Sequence, residues 1–152
     1  MYRTTTKDFL TFTPTQLFCD PGFSVIVATF PHAAGRHYLI LKDETRHPPK
    51  KFLQIAECDD LRGPFRNLSA LITPAGLWVE GPTELKIGDD YVIYYDAYQK
   101  KHYGAMRSRD LKTWEDVTAK LVLPDEGTAV RLRHGTVIEV PRAIVDRLRG
   151  KE

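Results

Sequence analysis

Cysteine is scarce in this sequence. Only Cys19 and Cys58 occur among 152 residues, with no Cys-x-x-Cys spacing, so neither a disulfide framework nor a thiolate metal cage organises the fold. Both are expected as reduced thiols, buried or half-buried. Long apolar runs are missing too, and nothing approaches the ~20 residues of a membrane-spanning helix. Charge of one sign is not in excess: 22 Lys and Arg against 20 Asp and Glu leave a formal +2. With the two signs interspersed, no basic stripe points to nucleic acid. The expected partner is therefore small or neutral, neither nucleic acid nor membrane. The opening MYRTTTKDFLTF lacks the apolar core of a secretory leader, so a cytoplasmic location is expected, with secretion the alternative if a leader lies upstream.

Helical patterning is also nearly absent. Only the terminal PRAIVDRLRGKE reads as a short helix, whereas FSVIVATF, RHYLILK, FLQIAE, TELKI, DYVIYYD and TVIEV are rich in β-branched and aromatic residues. Gly, Pro and Asp punctuate them, which is the pattern of strands and turns. The length and 42% apolar content suit one all-β domain over residues 1–152.

What the sequence does contain is a repeat. TTKDFLTFTPTQLF, ECDDLRGPFRNLSALITP and MRSRDLKTWEDVTAKLVLP each carry Asp followed by a turn and an aromatic, with Asp8, Asp60 and Asp110 as anchors and Phe12, Phe65 and Trp114 following. GRHYLILKDE matches GDDYVIYYDA at a shift of 53, placing Tyr38 on Tyr91 and Asp43 on Asp96. A period of about 50 residues with about four strands is the size of one propeller blade. The chain is thus expected to be a partial β-propeller of about three four-stranded blade units, divided at about 1–22 (partial), 23–74, 75–124 and 125–152 (partial). RHGTVIEV is expected as a final innermost-type strand and TKDFLTF as an N-terminal strand. Their open edges predict a homo-oligomer, dimer or larger.

In phase with this repeat, Glu80 in WVEGPTEL falls on Val27 at one shift and on His134 at the next. Equivalent positions of successive blades gather at one channel mouth, so Glu80 and His134 are expected to share a pocket. Antiparallel pairing adds Asp96 beside Glu80, and Asp43 with Glu44 beside Val27. A cluster of acids with one histidine at a channel mouth is a candidate site. Asp8, Asp60 and Asp110 are read as turn residues, and Trp78 either as core or as a platform for a sugar ring.

WVEGPTELKIGDDYVIYYDAY, YGAMRSRDLKTWEDVT and RHGTVIEVP, with DPGFSVIVATF and HYLILKDE before them, resemble the later blades of family-43 glycoside hydrolases. These are five-bladed propellers that include arabinofuranosidases, xylosidases and arabinanases, and the likeness covers roughly residues 5–145. The resemblance implies a glycosidase acting on terminal arabinofuranosyl or xylosyl residues of plant-derived oligosaccharides. It makes Glu80 the general acid and places His134 in a central channel beside calcium or a water cluster; no cofactor is required, and calcium is the ion it allows. In such enzymes the two acting carboxyls stand about 6.5–9.5 Å apart. Val27 stands where that family carries the aspartate that tunes the acid, and the blade bearing the base aspartate has no counterpart here. Three readings follow: missing blades come from another polypeptide; Asp43 and Asp96 serve as the other catalytic acids, with Asp20 and Glu44 behind them; or the chain binds pentose-containing glycans without cleaving them. Trp78 and Phe23 are the aromatics expected to stack on the sugar, with His134, Asp20 and Glu44 hydrogen-bonding to it.

Overall fold

The computed structural model describes residues 1–33, 35–123 and 133–150. Of the expected fourth repeat unit, residues 125–132 and 151–152 lie outside the described residues. Three antiparallel sheets make up the described chain. The smallest pairs β1 (Tyr2–Arg3) with β2 (Gln16–Leu17). In the second, the central strand β5 (Arg36–Asp43) is flanked by β6 (Leu53–Cys58) on one side and by β3 (Val25–Thr29) and β4 (His32–Ala33) in succession on the other. The third is a plain meander of β7 (Glu80–Ile87), β8 (Asp90–Ala97), β9 (His102–Ser108) and β10 (Glu115–Asp116). A 3₁₀ turn at Thr118–Lys120 follows it, and a single helix, α1 (Arg142–Leu148), lies near the C-terminus. The all-β class is as expected from composition, and α1 falls within PRAIVDRLRGKE. No helix among the described residues is long and apolar enough to cross a membrane.

The strand alternation explains how the sheets stack. Side chains of successive strand residues point to opposite faces, and both central strands are apolar on both. Tyr91, Ile93, Tyr95 and Ala97 of β8 meet Ile40, Leu53 and Ile55 of the neighbouring sheet in the main core. The opposite face of β5 packs Leu39 and Leu41 against Cys19, Ala56 and Phe65, while that of β8 packs Val92 against Ala105 and Val117. Cys19 is buried and Cys58 half-buried, both as free thiols.

The internal repeat is visible in the hydrogen bonds. The β5–β6 hairpin corresponds to β8–β9, and where β10 pairs with β9, a two-bond bridge between Glu57 and Arg66 takes its place beside β6. The Asp turns recur as well. Asp8 Oδ1 accepts from the Leu10 and Thr11 amides, Asp60 Oδ1 from the Arg62 amide, and Asp110 Oδ1 from the Lys112 and Thr113 amides.

Three local expectations are corrected. TKDFLTF is a turn rather than a strand, because Thr6 and Asp8 side chains capture the amides of residues 8–11 that a ladder would need. RHGTVIEV belongs to no sheet; it bends at His134, where φ is 25°, and its amides at Gly135 and Val137 donate to the Tyr103 hydroxyl and Thr83 Oγ1. The third concerns phase. Asp43 pairs with Val25 as Asp96 pairs with Glu80, so Val25, not Val27, stands in the ladder position of Glu80. Val27 is the extra residue of a bulge, with φ 46°.

Candidate functional site

The site begins with a cross-strand pair. Glu80 opens β7 directly opposite Asp96 near the end of β8, so the ladder alone sets two carboxylates side by side. Immediately after Glu80 the register slips at Gly81 and Pro82. Gly81 has φ 58°, and a Cβ there would lie 3.0 Å from His134 Cγ. Glycine is needed at this position both for the backbone conformation and for the imidazole seated on it.

Cations from distant parts of the chain close the cluster. Arg133 donates from Nη2 to Glu80 Oε1 at 2.7 Å and from Nε to Asp96 Oδ2 at 2.8 Å, so one guanidinium holds both acids. His134 Nε2 lies 2.9 Å from the same Glu80 oxygen. On the other side, Lys42 Nζ reaches Glu80 Oε2 at 3.4 Å and Glu44 Oε2 at 2.9 Å, and Lys51 pairs with Glu44 Oε1. Lys42 is only 2% exposed, and its burial is tolerated because two carboxylates compensate its charge.

These neighbours set the ionisation of the acids. Burial pushes Glu80 up, but the His134 hydrogen bond and the Lys42 and His134 charges outweigh it and hold the carboxyl below its ordinary value. Glu44 follows the same pattern, with burial opposed and exceeded by bonds to Lys51 and Lys42. Burial raises the Tyr98 phenol, and the Glu44 and Glu80 charges add to the rise. Glu80 and Glu44 therefore present ionised acceptors rather than a held proton.

The expected residues divide into those brought together and those kept apart. Glu80, Asp96 and His134 offer ligand atoms that all lie within 4.8 Å of one another, and Glu44 joins them through Lys42. Asp43 is fully buried, accepts from the Thr45 amide at 2.8 Å and lies 3.8 Å from Lys50 Nζ. Phe23 belongs with that neighbour, its ring 5.9 Å from Lys50 Nζ. Asp20 is used in a turn, accepting from the Gly22 amide. Trp78 is half-buried beside Tyr98, with ring centroids 6.3 Å apart. Lys51 lies 6.0 Å from the Trp78 ring and Lys42 5.0 Å from that of Tyr98, so the aromatic wall and the ionic cluster form one surface.

Residues 1–146 match the model of a family described as "probable glycosyl hydrolase domain", in the family-43-related group. The chain belongs to that family. No curated protein matches it.

Within this glycosyl hydrolase-related domain, Lys42, Lys51, Tyr98 and Arg133 complete a site of which the acids, His134 and Trp78 stood out in the sequence. Two of them had a signal: Arg133 adjoins His134 in the quoted RHG, and Lys42 interrupts an otherwise apolar run in RHYLILKD. The donor set does not suit the calcium that the resemblance allows. Calcium takes six to eight oxygens, whereas here a guanidinium already occupies the space between the Glu80 and Asp96 carboxylates. Glu80 and Asp96 each place an oxygen within 4.8 Å of the other, short of the about 6.5–9.5 Å at which a water stands between the two acids of an inverting enzyme.

Proposed function

We propose that this domain recognises terminal arabinofuranosyl or xylosyl residues of plant-derived oligosaccharides at the Glu80 cluster, and that it does so by binding rather than by cleavage. The observation that carries this reading is the Arg133 bridge. A general acid must meet its substrate protonated, with its pKa raised, yet Glu80 is bonded to Arg133 and His134 on one oxygen and faces Lys42 with the other. An ionised carboxylate so placed serves as an acceptor for sugar hydroxyls, with the outer edges of Trp78 and Tyr98 as the apolar flank. The repeat units are read as blades of a partial β-propeller, which the matching β5–β6 and β8–β9 hairpins and the recurring Asp turns support. No metal takes part in this reading, since Arg133 supplies the positive charge.

A second reading retains hydrolysis, with Glu80 as general acid. It is favoured by Glu44, a second partly buried carboxylate set across Lys42 from Glu80. One experiment separates the two: calorimetric titration with arabino- and xylo-oligosaccharides, run beside release of p-nitrophenol from aryl α-L-arabinofuranoside and β-D-xyloside. Saturable binding without turnover, weakened in Glu80→Gln, is the expected result. Turnover that Glu80→Gln abolishes establishes the hydrolase instead, and neither binding nor turnover removes both.

A further inference from the structure

Arg133 and His134 reach the acid pair from a segment that joins no sheet. Among the described residues, the backbone of residues 133–140 is tied to the rest of the fold by two hydrogen bonds, both to side-chain hydroxyls of the third sheet. The Gly135 amide donates to Tyr103 Oη at 2.9 Å, and the Val137 amide to Thr83 Oγ1 at 3.1 Å. One anchor lies one residue past His134 and the other three.

Both hydroxyls stand in the frame of the acids themselves. Asp96 lies opposite Glu80 in the β7–β8 ladder and opposite Tyr103 in the β8–β9 ladder. Cross-strand partners share a face of the sheet, so two acids and a phenol form one row. Thr83 follows on β7 just past the slip at Gly81 and Pro82, and it is 5% exposed. A segment hung from these two hydroxyls is therefore indexed by the sheet to Glu80 and Asp96.

Two features of the segment call for such a hold. His134 has φ 25°, a conformation sparsely populated by residues with a side chain, and one that persists where the surroundings over-determine it. The Arg133 and His134 side chains are also 50% and 47% exposed, so burial does little to fix their rotamers, and ordering them costs conformational entropy. Their contacts are nonetheless close: the guanidinium lies 2.7 and 2.8 Å from the two carboxylates, the imidazole 2.9 Å from Glu80, and His134 Cγ 3.0 Å from where a Cβ on Gly81 would be. Anchoring the backbone just past His134 reduces the freedom that these contacts must overcome.

We propose that Tyr103 and Thr83 are positioning residues of the Glu80 cluster, whose hydroxyls hold residues 135–137 so that Arg133 bridges the two acids and His134 sits on Gly81. Both act through the segment rather than on a bound sugar. Their importance for recognition rests on the Glu80 cluster being the functional site.

The test is NMR of the purified full chain without sugar, reading the NOE between Gly81 Hα and the His134 ring hydrogen on Cδ2. It should be present in the wild type, weaker in Tyr103→Phe and lost in Tyr103→Phe/Thr83→Val. Thr83→Ser retains the acceptor and should retain the NOE. Ser69→Ala removes the hydroxyl that accepts from the Ile55 amide in the other large sheet, and it should lower thermal stability with the NOE unchanged. Far-UV circular dichroism checks that the double variant is folded; if it is not, Tyr103→Phe alone decides. An NOE of wild-type strength in Tyr103→Phe and in the folded double variant overturns the proposal, as does its absence from the wild type or its equal loss in Ser69→Ala. Oligosaccharide titration of the same proteins separates the two readings: a wild type that binds no sugar, yet shows the NOE and its loss on removing the hydroxyls, removes the function proposed for the cluster and upholds the positioning.

Discussion

Glu80 and Asp96 face each other across the first pair of the β7–β8 ladder, and the guanidinium of Arg133 bonds to both. Two carboxylates at this separation repel one another unless a cation intervenes. The ionic state of the site therefore depends on a residue 37 positions beyond Asp96 and 53 beyond Glu80.

Replacing Arg133 tests this dependence. Arg133→Gln keeps hydrogen-bonding capacity but removes the charge, and the Arg133 side chain is half exposed, so solvent screening keeps the expected loss of stability small. It is read as a lower urea midpoint at unchanged slope. The oligosaccharide binding proposed for the site should also become sensitive to pH at higher pH than in the wild type, because Glu80 loses a partner that favours its ionised form.

Lys42 is the buried counterpart. Lys42→Met preserves the volume of the side chain but leaves Glu44 and Glu80 without the ammonium between them. Because Lys51 and Arg133 still pair with those acids, the expected cost is about 2 kcal/mol rather than that of a fully orphaned charge. Lys42→Met/Glu44→Gln should recover at least half of the loss, a coupling that a double-mutant cycle measures directly.

Acid should unfold the protein through its paired carboxyls. The Asp8 carboxyl is held at about 2, chiefly by the Thr11 amide; Asp60 at about 2 by the Arg62 guanidinium; and Asp110 at about 2 by the Thr113 amide. Glu80 and Glu44 are also lowered. With folded values below unfolded ones, their contribution is fully present above the ordinary values of 3.8 and 4.5 and is lost as pH falls through the folded values. Urea midpoints should accordingly change little between about pH 8 and 5 and drop steeply between about pH 4 and 2. A flat profile to pH 2 would show that these carboxyls are not engaged in solution.

Gly104 should tolerate no side chain. A Cβ there would fall 2.4 Å from Tyr95 Cζ, and Tyr95 is fully buried, so Gly104→Ala should cost about 3 kcal/mol by overpacking. Trimming the obstructing ring in Gly104→Ala/Tyr95→Leu should return part of that loss. Thermal melting of the two variants side by side gives the comparison.

The parts of this protein that were legible in the sequence rest on local rules. The strands around Tyr38 and Tyr91 were readable because alternation and β-branching act over a few residues, and the Asp turns because a short carboxylate side chain meets amides two and three positions on. The Glu80–Asp96 pair followed from hairpin register, which is likewise short-range. RHGTVIEV shows where such rules end. Its pattern suits a strand, but a strand also needs a neighbour with free amides and carbonyls, and here Tyr103 and Thr83 take its amides instead. The one-residue bulge at Val27 was equally hidden, and it shifted the position equivalent to Glu80 to Val25.

The sequence by itself determined an all-β chain with a duplicated hairpin unit and brought one acid pair together, since each of these needs only neighbouring residues or one turn. The tertiary structure alone decided the charge of the site. Lys42 and Arg133 come from segments with no local reason to meet Glu80, and their convergence on it, with Lys51 joined through Glu44, depends on how the chain packs. The outcome is an ionised cluster, because a carboxylate's proton affinity is set by the charges that packing places around it rather than by its own position in the chain.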